Sequence, residues 1–270
     1  MEIEQLHPAR ARAFHDVASE DPGQVLVALD FDGTLSEVVD DPERAVIHPD
    51  AAAALAGLLT RVGHVAIITG RPVDQVVRLG GFDDDVLRRL VVLGQYGAER
   101  LDHGGRHVPE PPEAVRRAWS ELQPLADEYP GLFLEDKRQA VGVHTRRAAP
   151  GTLAAVEDRV REVARRHGLL VEPGKEVLEL RAHRVSKGEA LRGLVAETGA
   201  RAVAMVGDDL GDLPAFDVIA ELQRDGEPAL AVVSGSDERP ELRDRADVWC
   251  PGPAGVARWL GSVAPDQELS

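Results

Sequence analysis

The chain has 270 residues, 43% of them hydrophobic, and its 31 basic and 47 acidic side chains give a formal net charge of −16. This balance argues against a general nucleic-acid-binding surface, which needs clustered cations, and no apolar run approaches the roughly 18 residues of a membrane span. The single cysteine, Cys250, excludes an intrachain disulfide and favours a reducing cytoplasm. We therefore expect a cytoplasmic protein, without nucleic-acid or membrane partners, of one large or two ordinary domains.

Five short runs of consecutive apolar residues recur along the chain, each followed by a segment with helical spacing. Consecutive rather than alternating apolar residues are typical of strands buried on both faces, and hence of a mostly parallel sheet covered by helices. The pattern predicts an α/β fold with a doubly wound core. The runs are residues 24–33, 64–71, 89–97, 202–212 and 229–236.

The helices between these runs carry end signals. Asp50 is predicted to cap the helix before the second run, and Asp212 the helix before the fifth. Ser186 and Glu189 have the spacing of a capping box, and the helix that they open is predicted to end at Gly199.

The stretch 105–184 breaks this pattern. It contains two segments with helical spacing and, between and after them, alternating residues such as Val141 and Val143. Alternation indicates antiparallel strands with one exposed face. We predict a smaller α+β domain at 105–184, inserted into a core formed by residues 20–104 and 185–264.

Two predicted strands end in groups of carboxylates. Asp30 and Asp32 follow the first run, and Asp208, Asp209 and Asp212 lie at the end of the fourth. Ligands of α/β sheets bind at the carboxyl ends of strands, and several carboxylates there repel one another unless a cation lies among them. Oxygen ligands suit Mg²⁺. For either motif alone, an ordinary capped turn stays an open alternative.

Groups that can bind an anion follow two other strands or helices. The hydroxyl of Thr69 and the amides near it can reach a phosphoryl oxygen, and Lys187 adds an ammonium group to the start of a helix. We also predict substrate contacts at Gly33 and Arg71. A lone lysine at a helix start is usually a surface residue, so these elements are informative only together.

The ordered set of DFDGT at residues 30–34, Thr69, Lys187 and GDDLGD at residues 207–212 resembles the four motifs of the haloacid dehalogenase superfamily. The resemblance implies a Rossmann-like core and phosphohydrolase chemistry. Asp30 would attack phosphorus, Asp32 would act as general acid and then as general base, and Thr69 and Lys187 would bind the transferred phosphoryl group.

The same resemblance implies an Mg²⁺ cofactor. Its ligands would be a carboxylate oxygen of Asp30, the backbone carbonyl of Asp32 and the carboxylate of Asp208. Asp209 and Asp212 would not contact the metal but would hold its ligands in place.

The insert lies where that superfamily places a C2-type cap. Several segments of the chain, inside and outside the insert, are similar to the trehalose-6-phosphate phosphatase family, which implies Mg²⁺-dependent hydrolysis of trehalose 6-phosphate and sugar contacts at Lys137, His144, Lys175 and Glu179. The similar segments are residues 35–45, 94–99, 134–137, 143–146 and 173–181.

Two positions depart from the family pattern. Tyr96 stands where the family often has His, and Leu213 stands where an acidic residue usually follows Asp212. Three other functions stay open: a phosphatase for another sugar phosphate, such as sucrose 6-phosphate or a glycosyl-phosphoglycerate; a capped phosphomutase; and a catalytically inactive phosphosugar sensor. We expect a monomer with a small sugar phosphate as its partner.

Overall fold

The computed structural model describes residues 2–39, 41–174, 176–182, 186–235 and 240–264. The chain divides into two units, residues 1–107 with 186–270 and residues 108–185, which we call the core unit and the insert unit.

The strands and helices follow one another in an order close to the predicted one. The strands are β1 (Glu4–Gln5), β2 (Val25–Leu29), β3 (His64–Ile68), β4 (Leu90–Gly94), β5 (Glu99–Asp102), β6 (Gly105–His107), β7 (Phe133–Asp136), β8 (Ala140–His144), β9 (Leu170–Gly174), β10 (Val177–Arg181), β11 (Ala202–Gly207), β12 (Ala229–Gly235) and β13 (Val248–Pro251). The helices are α1 (Pro8–Glu20), α2 (Pro49–Arg61), α3 (Val73–Gly80), α4 (Asp84–Leu87), α5 (Glu113–Glu128), α6 (Thr152–His167), α7 (Lys187–Thr198), α8 (Leu213–Arg224) and α9 (Gly252–Ser262).

The core unit contains one nine-stranded sheet in the order β1-β13-β12-β11-β2-β3-β4-β5-β6. The six strands from β13 to β4 pair in parallel, whereas β1, β5 and β6 pair in antiparallel fashion at the two edges. All five predicted runs lie in the parallel part. The predicted doubly wound α/β core is therefore confirmed, with a sixth parallel strand, β13, and edge strands that the sequence pattern did not indicate.

Both faces of this sheet are buried. In β2, Val25, Val27 and Leu29 face one apolar cluster, which contains side chains of α1, α2, α3 and α9, and Leu26 and Ala28 face a second, which contains side chains of α7 and α8. This placement explains why the strand is apolar at every position.

The helix ends follow the sequence signals in part. Ser186 and Glu189 form the predicted capping box, and α7 ends at Gly199, whose φ of 62° is the left-handed conformation that glycine adopts at low cost. The prediction for Asp50 is wrong: α2 begins at Pro49, and the ring Nδ1 of His48 accepts the bond from the Asp50 amide at 3.2 Å. Proline at the first helical position needs no amide donor, so the helix starts earlier than predicted.

The insert unit is an antiparallel sheet in the order β7-β8-β10-β9, and α5 and α6 cover one of its faces. The alternating sequence pattern agrees with this arrangement. Val141 and Val143 pack under the helices, whereas His144 is half-buried. The predicted start of the insert needs correction, because residues 105–107 form β6 and pair with β5 in the core sheet.

Among the described helices, the structure contains none that combines the length and the apolar character needed to cross a membrane.

Candidate active site

The carboxyl ends of adjacent strands bring the first and last motifs together. Asp30 follows β2, and its amide donates to the carbonyl of Val206 in β11 at 2.8 Å. Lys187 opens α7, and its Nζ lies 2.8 Å from Oδ1 of Asp30. Both side chains are buried. The structure therefore brings a buried carboxylate and a buried ammonium group into direct contact, although they are 157 positions apart in the sequence.

Three carboxylates converge beside this ion pair. One oxygen from each of Asp30, Asp208 and Asp212 lies within 4.8 Å of the other two; we call these residues the carboxylate cluster. Oδ1 of Asp208 is buried and has no hydrogen-bond partner among the described residues. A buried carboxylate oxygen without a donor is costly, and oxygen donors of this kind are the ligands that Mg²⁺ takes in proteins.

Asp212 has a different position in the cluster from the other two residues. Its Oδ1 accepts from Lys187 Nζ at 2.6 Å, and its Oδ2 accepts from the amides of Asp208 and Asp209 at 2.9 and 3.1 Å. The prediction that it caps α8 is wrong, because it makes no side-chain capping bond there. With both oxygens engaged, Asp212 holds Lys187 and the turn after β11, and Asp30 and Asp208 are the residues that could hold a divalent cation.

Asp209 shapes the same turn. Its Oδ1 accepts from the amide of Gly211 at 2.8 Å, and Asp209 and Asp212 together form a capping box around the short 3₁₀ turn at Leu210–Asp212.

Electrostatics distinguish the cluster from an ordinary polar surface. Burial raises the pKa of Asp30 well above its usual range, an effect that Lys187 opposes and Asp212 reinforces. Burial, followed by repulsion from Asp30, raises the pKa of Asp208 to about 9. Burial disfavours the charged form of Lys187, but Asp212 and Asp30 outweigh it and hold the pKa of Lys187 well above its ordinary value. The negative charge of the cluster thus exceeds what one lysine compensates, and an added cation would be bound favourably.

Gly33 and Thr34 complete the turn after β2. Gly33 has a φ of 69°, and a Cβ atom placed on it would lie 1.9 Å from Oδ2 of Asp208. The carboxylate of Asp208 therefore fits only because residue 33 has no side chain. Thr34 was not predicted as a site residue, although it belongs to the first motif; its hydroxyl is buried and has no partner among the described residues.

Asp32 and Arg71 form a second ion pair at the site. Nε and Nη2 of Arg71 donate to the two carboxylate oxygens of Asp32 at 2.6 and 2.7 Å. Arg71 was predicted to contact substrate, but its guanidinium is engaged by Asp32. The backbone carbonyl of Asp32 as a metal ligand stays a prediction.

Thr69 lies at the end of β3, buried, and its Oγ1 accepts from the amide of Arg71 at 3.2 Å. Because this oxygen acts as the acceptor, the hydroxyl hydrogen can still be donated to a phosphoryl oxygen.

The insert unit carries a separate set of charged groups. Oε2 of Glu179 accepts from Nζ of Lys137 at 2.6 Å, and its Oε1 accepts from Nε of Arg181 at 2.6 Å; we call these three residues the insert ion network. Burial disfavours the charged form of Glu179, but Lys137 and Arg181 outweigh it and lower the pKa of this carboxyl. Nearby, Nε2 of His144 lies 2.8 Å from Oε2 of Glu135.

The structure thus brings Lys137 and Glu179 together and places His144 on the same sheet. Lys175, the fourth predicted sugar contact, lies outside the described residues.

Solved structures identify the fold. The chain matches the C-terminal domain of trehalose-6-phosphate phosphatase from Candida albicans with a TM-score of 0.73 and 21% identity, over 97% of this chain and 99% of that one. It matches a haloacid dehalogenase-like hydrolase from Bacteroides thetaiotaomicron with a TM-score of 0.63 and 17% identity, over 87% and 97%. At such low identities these matches show the fold, which is that of the haloacid dehalogenase-like hydrolases.

Sequence comparison identifies the family. The family model for trehalose-phosphatase matches residues 28–247, so the chain belongs to the trehalose-phosphatase family. The trehalose-phosphate phosphatase of Mycobacterium tuberculosis is 34% identical over 207 residues, which are 73% of this chain and 51% of that protein. The chain therefore spans about half the length of this curated relative. The predicted resemblance to the family is confirmed.

Proposed function

We propose that the protein is an Mg²⁺-dependent phosphatase that hydrolyses trehalose 6-phosphate to trehalose and phosphate, with Asp30 as the nucleophile. The observation that carries the proposal is the contact of 2.8 Å between Asp30 and Lys187 beside the otherwise unpartnered oxygen of Asp208. A carboxylate beside an ammonium group, and beside an oxygen that could hold a divalent cation, has the positive surroundings that attack on a phosphate dianion requires.

In the first step, an oxygen of Asp30 bonds to phosphorus while the bond from phosphorus to the sugar oxygen breaks. Asp32 gives its proton to that sugar oxygen, which is a poor leaving group without it. In the second step, Asp32 takes a proton from water, the water oxygen attacks phosphorus, and the bond to Asp30 breaks. The covalent intermediate divides one difficult displacement into two easier ones.

The transferred phosphoryl group needs positive charge and hydrogen-bond donors. Lys187 supplies an ammonium group held by Asp30 and Asp212, and Thr69 supplies a hydroxyl whose own acceptor position is already filled. Asp30 and Asp208 would hold Mg²⁺, which when bound offsets the repulsion between carboxylate and phosphate.

The substrate is inferred from the family and from the insert unit. The named relatives are trehalose-phosphate phosphatases, and Lys137, His144, Lys175 and Glu179 are proposed to bind the sugar. Lys137 and Glu179 offer a donor and an acceptor 2.6 Å apart, which matches the mixed donor and acceptor character of sugar hydroxyls. In this proposal the insert unit is the substrate-selecting cap.

Release of phosphate from trehalose 6-phosphate, sucrose 6-phosphate and glucose 6-phosphate tests the proposal. We expect the highest kcat/KM on trehalose 6-phosphate, loss of activity with a chelator and recovery with Mg²⁺. Preference for another sugar phosphate would contradict the substrate, and formation of an isomeric sugar phosphate without free phosphate would indicate a mutase instead.

We further propose that the protein acts as a monomer in the cytoplasm and does not bind nucleic acid. The net charge of −16 and the single, buried cysteine support this view. Light scattering after size exclusion would show a mass near 29.1 kDa; a mass of twice that value would contradict the monomer.

A further inference from the structure

Two residues after β4 have an unusual backbone conformation. Gln95 has a φ of 48° and Tyr96 a φ of 59°, so two consecutive residues other than glycine adopt the left-handed region. Such residues are strained and persist only where surrounding contacts impose them. The contacts that these two residues make should therefore indicate their purpose.

The carbonyls of the first three residues after β3 accept hydrogen bonds from this pair. The amide of Tyr96 donates to Thr69 at 2.8 Å, the side-chain amide of Gln95 donates to Gly70 at 2.7 Å, and the backbone amide of Gln95 donates to Arg71 at 2.9 Å. A Cβ atom at Gly70 would lie 2.6 Å from the hydroxyl of Tyr96, so the ring packs directly on the loop. The left-handed pair thus fixes the loop from one side.

This loop also carries Arg71, whose guanidinium contacts Asp32, the proposed general acid. Arg71 bonds both carboxylate oxygens of Asp32, and this carboxylate is the more exposed partner, with 40% of its side chain accessible against 11% for Arg71. A partly exposed carboxylate on a turn has several rotamers, and a bidentate pair with a half-buried arginine selects one of them.

We propose that Gln95 is a positioning residue: its buried amide fixes the loop that holds Arg71, and Arg71 orients Asp32 for proton transfer to the leaving group. This inference rests on the proposed function, since it assigns a task within the same reaction. It also assigns Arg71 to Asp32 rather than to the substrate.

The test compares two substrates that differ in their need for a proton. A sugar alkoxide leaves only when protonated, whereas p-nitrophenolate leaves without help. The value of kcat/KM depends only on the steps up to the first irreversible one. The role of Asp32 as a base belongs to the second step, so it does not affect kcat/KM. We expect Gln95→Met to lower kcat/KM on trehalose 6-phosphate about 10²-fold, as for a misplacement of about 1 Å, and to lower it on p-nitrophenyl phosphate less than about threefold.

Gln223→Met is the matched control. This glutamine is also partly buried in the core unit, and its amide donates to the carbonyl of Ala229 at 2.9 Å and to Asp247 at 2.7 Å. Loss of these bonds should lower the melting temperature but leave the ratio of the two kcat/KM values unchanged. Equal losses on both substrates in Gln95→Met would overturn the proposal.

Gln95→Asn separates positioning from folding. Asparagine tolerates the left-handed conformation better than glutamine does, so this variant should fold, yet its shorter side chain cannot reach the carbonyl of Gly70. We expect the ratio of kcat/KM values to shift in the same direction as in Gln95→Met. An unchanged ratio in a folded Gln95→Asn variant would contradict the role of the amide.

Arg71→Met tests the connection between Gln95 and Asp32. It should shift the ratio as much as Gln95→Met does, and the double variant should shift it no further, because both changes act on one contact. Additive shifts would overturn the connection. If the unsubstituted protein shows no preference for trehalose 6-phosphate in the same assay, the proposed substrate fails, whereas the proton requirement can still be compared on any alkyl phosphate that it hydrolyses.

Discussion

The carboxylate cluster of the core unit and the insert ion network contain the same kinds of side chain, yet their carboxyl groups have pKa values shifted in opposite directions. In the cluster, three carboxylates share one lysine, and the pKa values of Asp30 and Asp208 are raised. In the insert ion network, one carboxylate lies between two cations, and the pKa of Glu179 is lowered. The carboxylate cluster has too little positive charge for its carboxylates, whereas the insert ion network has enough.

The carboxylate cluster would therefore be stabilised by a bound cation, whereas the charges of the insert ion network already compensate one another. Burial raises the carboxyl pKa at both sites, so the surrounding charges decide whether the pKa is finally raised or lowered. A raised carboxyl pKa beside a buried, unpartnered oxygen is the observation that favours a metal in the core unit. In the insert unit the balanced charges favour hydrogen bonding to a neutral sugar.

The largest expected effect comes from the nucleophile. Asp30→Asn removes the attacking carboxylate, and we expect turnover to fall by at least about 10³-fold, since loss of a nucleophile can cost about 10⁶. The fold should persist, because Asp212 still pairs with Lys187. Phosphate release and a thermal melt would check both parts, with Asp16→Asn, on the exposed side of α1, as the control. Near-normal turnover of Asp30→Asn would refute the assignment.

A methyl group at residue 33 should have the next largest effect. Gly33→Ala places a Cβ atom where Oδ2 of Asp208 lies and disfavours the observed φ of 69°. We expect Mg²⁺ affinity to fall about 10–100-fold, as measured by titration of activity against Mg²⁺. Gly57→Ala, at a position where a Cβ atom meets nothing within 4 Å, should leave that affinity unchanged.

The effect of Mg²⁺ on stability should depend on pH. The folded protein holds the proton of Asp208 up to about pH 9, far above the ordinary value of 3.8, so the metal-free protein loses stability as pH rises between these values. Mg²⁺ would bind the ionised form and would have to displace this proton. The increase in melting temperature on adding Mg²⁺ should therefore be larger at pH 8 than at pH 6.

Asp208→Asn should reduce this pH dependence, because asparagine does not titrate, and the part that remains should come from Asp30, whose pKa is also raised. An increase in melting temperature that is the same at both pH values in the unsubstituted protein would contradict the assignment of Asp208 as a ligand.

The smallest effect is expected in the insert unit. Lys137→Met leaves Glu179 with Arg181 alone, and we expect a loss of about 1 kcal/mol in the free energy of unfolding, between the values for exposed and buried pairs. Because the folded pKa of Glu179 is lowered from 4.5, this contribution is complete above pH 4.5 and is lost as the pH falls through the folded value.

The same substitution should raise KM for trehalose 6-phosphate more than it lowers kcat, because Lys137 is proposed to bind the sugar. A change in kcat alone would place Lys137 in the chemical step instead. Lys137→Arg should restore part of the lost stability, since it keeps the charge.

The sequence predicts five of the six parallel strands, because burial on both faces requires consecutive apolar residues, and it misses β13, which is short. It predicts the edge strands poorly: β5 and β6 are short, and their residues, such as Arg100 and His107, form no such apolar run. The capping box at Ser186 was predictable because it is local. The start of α2 was not, because an imidazole took the place of the expected aspartate.

Within the site, residue types and strand ends predict which side chains converge, but not how they pair. Nothing in the sequence tells that Asp212 would bond Lys187 rather than cap α8, or that Arg71 would bond Asp32. Such pairings depend on distances of a few ångströms between distant segments. Gln95 was missed for the same reason, since its left-handed backbone becomes visible only in three dimensions.

The central strand pair β2 and β11 has a consequence for biosynthesis. These strands lie side by side, although β2 ends at residue 29 and β11 begins at residue 202. At about 5–20 residues per second, the ribosome needs roughly 10–35 s to supply the second strand. Throughout that interval one edge of β2 lacks its partner strand, and no truncated product that lacks β11 can assemble Asp30 with Asp208.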